Sequence, residues 1–217
     1  MPLNLSPVET RILGCLLEKE RTTPENYPLS LNSLILACNQ TTNRDPVTAY
    51  DESTVQDGID HLREKKLVTV VFGAGNRVQK YRHNLPEHFE LDNRDVAVMS
   101  VLLLRGPQTA GEIRSRSERI FHFAGIEEIE TCLTALAQGE FPLIRLLPQQ
   151  PGQKERRYVQ CFSAEPEAGW QSAVHESLPS PTRDPSRLDS LESQVALLRE
   201  ELATLKSQFA AFQKQFE

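Results

Sequence analysis

The chain has 217 residues, of which 25% are charged and 39% hydrophobic, and its formal net charge is -6. These values suit a globular chain of two small domains or one medium one. They argue against coating nucleic acid by bulk charge, while leaving room for a local basic patch.

The first predicted helix starts at Ser6, which forms a capping box with Glu9 and has Pro7 at the first helical position. Val8, Ile12, Cys15 and Leu16 then share one face. After the polar loop RTTPENYP, Ser30 caps a second helix in which Leu31, Leu34, Ile35 and Cys38 recur at helical spacing, and Asn39 is expected to end it in a left-handed turn. Asp51 caps a third helix with Val55, Ile59 and Leu62 on its buried stripe and Lys65 and Lys66 at its C-terminus. A β-hairpin follows: Leu67 to Phe72, a GAGN turn, and Arg77 to His83. GAGN is read as a hairpin turn rather than a dinucleotide loop, because a strand and not a helix follows it.

The order then repeats. Asp92 caps a helix that runs to Arg105 and stops at Gly106-Pro107, with Leu91 placed to staple onto Val96. Thr109 and Glu112 make a second capping box over a short helix. Ile126, Ile129, Leu133 and Leu136 mark a third helix closed by Gly139, and Leu143 to Leu147 and Arg157 to Phe162 flank the hairpin tip PQQPGQKE. Tyr81 and Tyr158 occupy equivalent hairpin positions. Three helices and a hairpin, twice over, describe tandem winged-helix domains. The expected fold class is therefore mainly α with small β-hairpins (α+β), with domains at 1–88 and 89–163, a Pro/Ser/Glu-rich linker at 164–185 and a coiled-coil helix at 186–217. In that last segment Leu188, Leu191, Val195, Leu198, Leu202, Leu205, Phe209, Phe212 and Phe216 alternate in steps of three and four, a heptad seam that predicts homo-oligomerisation.

Four long motifs, TTPENYPLSLNSLILACNQTTNRDPV, GNRVQKY, LLLRGPQTAGEIRSRSER and PGQKERRY, resemble the signatures of the YceH family of uncharacterised bacterial proteins across about residues 3–163. The resemblance implies two winged-helix domains and no agreed activity.

No motif for a nucleophile, a metal or a cofactor stands out. Cys15, Cys38, Cys132 and Cys161 form no CxxC pair, and the histidines lack ligand spacing. The expectation is a protein that is not an enzyme, with no cofactor and no metal. MPLNLSPVET lacks the charge pattern of a signal peptide, and the apolar run Val96 to Leu104 is too short to span a bilayer, so a cytoplasmic location without membrane contact is expected.

The partner question turns on charge. The exposed positions of both third helices are acidic (Glu52, Asp57 and Asp60; Glu127, Glu128 and Glu130), which disfavours orthodox major-groove reading. Basic groups cluster elsewhere: Arg77, Lys80 and Arg82 at the first wing, Arg114, Arg116 and Arg119 in IRSRSER, and Lys154, Arg156 and Arg157 at the second wing. On an ordinary surface these would pair with Glu112, Glu118 and Glu155; otherwise they are nucleic-acid candidates. Gln40, Asn43 and Arg44 are either a recognition edge or the makings of a turn. The expected function is a DNA-associated regulator making weak or non-specific contacts with double-stranded DNA. The alternative is a protein-interaction module that does not bind DNA.

Overall fold

A computed structural model describes residues 3–72 and 78–163. The expected linker, the heptad segment from Leu188 to Phe216, the GAGN turn and Arg77 lie outside the described residues.

The first helix, α1 (Pro7–Thr22), begins at the expected capping box of Ser6 and Glu9. A two-residue strand, β1 (Leu29–Ser30), precedes α2 (Leu31–Cys38), whose N-terminus the Ser30 hydroxyl caps at the Ser33 amide. Next come α3 (Glu52–Glu64), capped by Asp51, and the antiparallel strands β2 (Val68–Phe72) and β3 (Gln79–His83). β1 adds to the free edge of β3 to give the order β1-β3-β2. A short helix, α4 (Leu85–Phe89), links this half to α5 (Asn93–Arg105), which starts at Asp92 and ends at Gly106, where φ is +67°. Then follow α6 (Ala110–Ser117), capped by Thr109 and Glu112, α7 (Ile126–Leu136), and the paired strands β4 (Ile144–Leu146) and β5 (Tyr158–Gln160). The described architecture is α+β, with seven helices and small antiparallel sheets.

The internal repeat is visible at the level of single residues. Tyr81 pairs with Leu29, the residue before the Ser30 cap, and Tyr158 bridges to Gln108, the residue before the Thr109 cap. Two backbone hydrogen bonds, 2.7 and 3.0 Å, join Gln108 and Tyr158. The bridge thus does in the second half what β1 does in the first.

The first helices of the two halves form the centre of a single core. α5 buries every residue from Val96 to Leu104, and α1 every residue from Glu9 to Glu18. A helix apolar on all sides belongs in a core, and α5 packs along α1. Gly14 permits the approach: a Cβ there would lie 2.9 Å from Leu104 and 3.0 Å from Leu103. One cluster of buried side chains runs from Leu5 to Phe162, and Leu5 N–H donates to the Phe162 carbonyl at 2.8 Å. No helix among the described residues is long and apolar enough to cross a membrane.

Asn39 departs from its expected left-handed turn. Its φ is -92°, because its side chain is held by the Tyr50 backbone, donating to the carbonyl and accepting from the amide at 2.8 Å each. The left-handed residue is Asn43, with φ +57°.

Candidate functional site

The loop after α2 owes its shape to two arginines that point inward. Arg11, buried on α1, donates to the Cys38 and Pro46 carbonyls and to the Thr48 hydroxyl. Arg44, whose side chain is fully buried, grips both carboxylate oxygens of Glu18 at 3.2 and 2.7 Å. It also donates to the Ala37 and Asn43 carbonyls and to the Gln40 side chain. Burial alone would make the guanidinium easier to deprotonate, but the Glu18 carboxylate outweighs it and holds Arg44 above its ordinary pKa. A guanidinium so saturated fixes the turn and has no donor to offer a ligand. Of the three loop candidates, Gln40 and Asn43 remain at the surface and Arg44 does not. The Asp45 amide donates to the Leu104 carbonyl at 3.0 Å, docking the loop on the end of α5.

That dock places the loop beside the last turn of α6 and the residues after it. Here Arg114, Arg116 and Arg119 project, and among the described residues their guanidinium groups make no hydrogen bond or ion pair. Two carboxylates expected to neutralise them are engaged elsewhere. Glu112 closes its capping box and pairs with Arg157 at 2.7 Å, while Glu118 pairs with His122. Arg105, at the end of α5, records the resulting crowding: burial first, and then the nearby Arg116 charge, push its pKa below the ordinary value. Its Nε is buried without a partner.

A cleft of about 400 Å³ opens between these parts. Glu18, Lys19, Thr22 and Thr23 from the end of α1 form one wall, residues 40–43 a second, and Arg116, Arg119 and Ile120 a third. Lys19 donates to Gln40 at 3.3 Å and sits 3.5 Å from Glu18. Lys19, Thr41 and Thr42 carry no sequence signal of a site; they join it through contacts between distant segments, Lys19 with Gln40, Glu18 with Arg44 and the loop with α5. The structure thus brings Gln40 and Asn43 to Arg116 and Arg119, which the sequence placed in separate groups.

The wing candidates fare unevenly. Lys80 is half-buried on β3, while Arg82 is exposed and 3.4 Å from Glu87. Lys154 and Arg156 are exposed at the second hairpin, with Arg156 donating to the Leu147 carbonyl at 3.4 Å. Arg157 is held by Glu112 and the Pro107 carbonyl. The third helices present Glu52, Ser53 and Asp57 on α3 and Glu127, Glu130 and Thr131 on α7. Asp60 is engaged by Gln56 and by Arg63, the latter at 2.7 Å.

All four cysteines are free thiols, and Cys15, Cys38 and Cys132 are buried. Burial pushes the Cys132 and Cys161 thiols up, away from the reactive thiolate. Among the described residues no group of three or more His, Cys, Asp or Glu is placed to hold a metal ion.

Residues 5–153 match the family model described as "Protein of unknown function, DUF480". The chain is 45% identical over 210 residues to a "UPF0502 protein" of Shewanella pealeana, covering 95% of this chain and 97% of the relative. It is 50% identical over 197 residues to one of Opitutus terrae, covering 90% and 83% respectively. A third, from Geotalea uraniireducens, is 45% identical over 211 residues, covering 97% and 91%.

Proposed function

The chain belongs to the DUF480 family, and from its geometry we propose that it is a DNA-associated regulator that grips the phosphates of double-stranded DNA without reading sequence. The observation that carries this reading is the set of three neighbouring arginines, Arg114, Arg116 and Arg119, whose guanidinium groups make no hydrogen bond or ion pair among the described residues, although the Arg116 charge is felt at Glu112, which Arg157 holds. Exposed, unneutralised guanidinium groups are what phosphate contacts require. The repeated order of helix, strand or bridge, two helices and hairpin supports tandem winged-helix domains, in line with the YceH resemblance. In this reading Arg82, Lys154 and Arg156 extend the contact along the wings, and the heptad segment pairs two chains in the cytoplasm. The protein has no catalytic step of its own.

The acidic exposed faces of α3 and α7 favour a second reading, a protein-docking module that leaves DNA alone. Anisotropy titration with two unrelated duplexes over a range of salt separates the two. Phosphate binding gives similar affinity for both duplexes and a steep salt slope, and replacing the three arginines by Ala flattens that slope by about two to three. No binding at low salt favours the docking module.

A further inference from the structure

We propose that the cleft between residues 40–43 and the end of α6 is a binding site for a small, multiply charged anion carrying phosphoryl groups. The site rests on the phosphate-contact reading, since it shares Arg116 and Arg119 with the duplex surface, while Arg114 does not line it. Its charged lining residues are Lys19, Arg116 and Arg119 against Glu18, a local balance of +2 on a chain of net charge -6. The Glu18 charge is already compensated from behind by the buried Arg44. Arg116 and Arg119 bring unpaired forked donors, the geometry that suits phosphoryl oxygens. The hydroxyls of Thr41 and Thr42 and the backbone N–H groups of residues 41–43 make no hydrogen bond among the described residues. They are neutral donors beside the cationic ones, the mixture that phosphate sites use.

Size and lining narrow the ligand. A volume of about 400 Å³ lies in the range of small-molecule sites and exceeds what one phosphate ion needs. Ile120 is the one large apolar side chain in the lining and no aromatic ring is present, so a nucleobase would have no aromatic platform there. The fit is to a compact oligophosphate or a phosphorylated polyol. Such a ligand would touch both halves of the repeat, α1 and the 40–43 loop on one side and α6 on the other, and would stabilise their packing.

Isothermal titration of the full chain at low salt, with inorganic pyrophosphate and fructose 1,6-bisphosphate as probes and citrate as a non-phosphoryl control, tests this. Expected is one saturable site per chain for at least one phosphoryl probe, with citrate weaker. Arg116→Ala and Arg119→Ala should each weaken binding about tenfold, and Arg114→Ala should change it less than about twofold. Amide resonances of Thr41 and Thr42 should shift on saturation. The proposal is overturned by no saturable binding of either phosphoryl probe, by citrate binding equally well, by Arg114→Ala weakening it as much as Arg119→Ala, or by shifts confined to the hairpins. Duplex binding by Arg114→Ala is measured separately in anion-free buffer: a loss there with anion binding intact separates the two readings, and anion binding without any duplex binding leaves the cleft standing and removes the duplex reading.

Discussion

α2 and α6 are the same element built twice, and they put opposite chemistry on the surface. Both have eight residues, start 79 positions apart (31 and 110), and follow a hydroxyl cap and a strand or bridge contact. Their inward positions agree: Leu34 and Ile113 are buried, as are Cys38 and Ser117. Outward, α2 presents Leu36, 73% exposed, where α6 presents Ser115 next to Arg114. The loops that follow invert the pattern. Arg44 anchors the first through a buried ion pair, whereas the second, a shorter loop, holds Phe123 fully buried and edge-on to Phe121 at 4.8 Å. The half with the polar anchor exposes Leu36 beside Asn32 and Ser33, and the half with the apolar anchor shows the arginines. The inward faces of the two helices have stayed common, while their outward faces and the buried anchors of the following loops differ.

Removing the anchors gives the largest effects. Phe123→Ala leaves a cavity and should cost about 3–5 kcal/mol. Arg44→Ala strands the Glu18 carboxylate and should cost a similar amount, about 3–5 kcal/mol. Urea denaturation checks both, and a cost under about 1 kcal/mol at either site would show that the residue does not anchor its loop. The glycines of the two halves differ in sign. Gly14→Ala drives a Cβ into Leu104 and should destabilise by about 1–3 kcal/mol. Gly111→Ala on α6 meets nothing closer than the Thr109 hydroxyl at 4.0 Å and should stabilise by about 0.5–1 kcal/mol.

The capping boxes of the two halves differ in their response to pH. Burial works to raise the pKa of Glu9, but the Lys65 ion pair and the Ser6 hydrogen bonds prevail and hold it below the ordinary 4.5. Glu112 is likewise lowered against its burial, by the Thr109 amide and then Arg157. A carboxylate depressed in the folded state adds stability above its ordinary pKa and loses it as pH falls through the folded value. Side-chain exposure is 3% for Glu9 and 31% for Glu112, so Glu9 should carry more of the acid sensitivity. Glu9→Gln should flatten the acid limb of a stability-against-pH curve below 4.5 more than Glu112→Gln does.

Much of this fold is legible in the sequence because its signals are local. Ser6 with Glu9, Thr109 with Glu112, Asp51 and Asp92 each name a helix start from neighbours three residues away, and each caps a helix. β1 escapes notice because two residues, Leu29 and Ser30, carry no alternation; they are extended because Tyr81 and Lys80 pair with them. α4 is one turn behind Pro86, too short for periodicity to register. The candidate site divides the same way. The basic clusters can be read from composition, but whether an arginine is engaged depends on partners far along the chain. Arg44 finds Glu18 and Arg157 finds Glu112, while Arg114, Arg116 and Arg119 find none among the described residues. The cleft lies where α1 packs on α5 and the Asp45 amide reaches the Leu104 carbonyl, contacts between residues far apart in the chain.

In the proposed mode of binding the unpaired arginines of α6 and its following turn, and not the third helices, meet the phosphate backbone. The most direct measurement is the salt dependence of duplex binding by the triple variant Arg114→Ala, Arg116→Ala, Arg119→Ala, beside a variant with Glu52, Gln56 and Asp60 each replaced by Ala. The expected result is an equal loss of affinity on unrelated duplexes and a slope flatter by about two to three for the arginine variant, with no change of sequence preference for the α3 variant. A triple arginine variant that binds with unchanged slope, or an α3 variant that alters sequence preference, would contradict it.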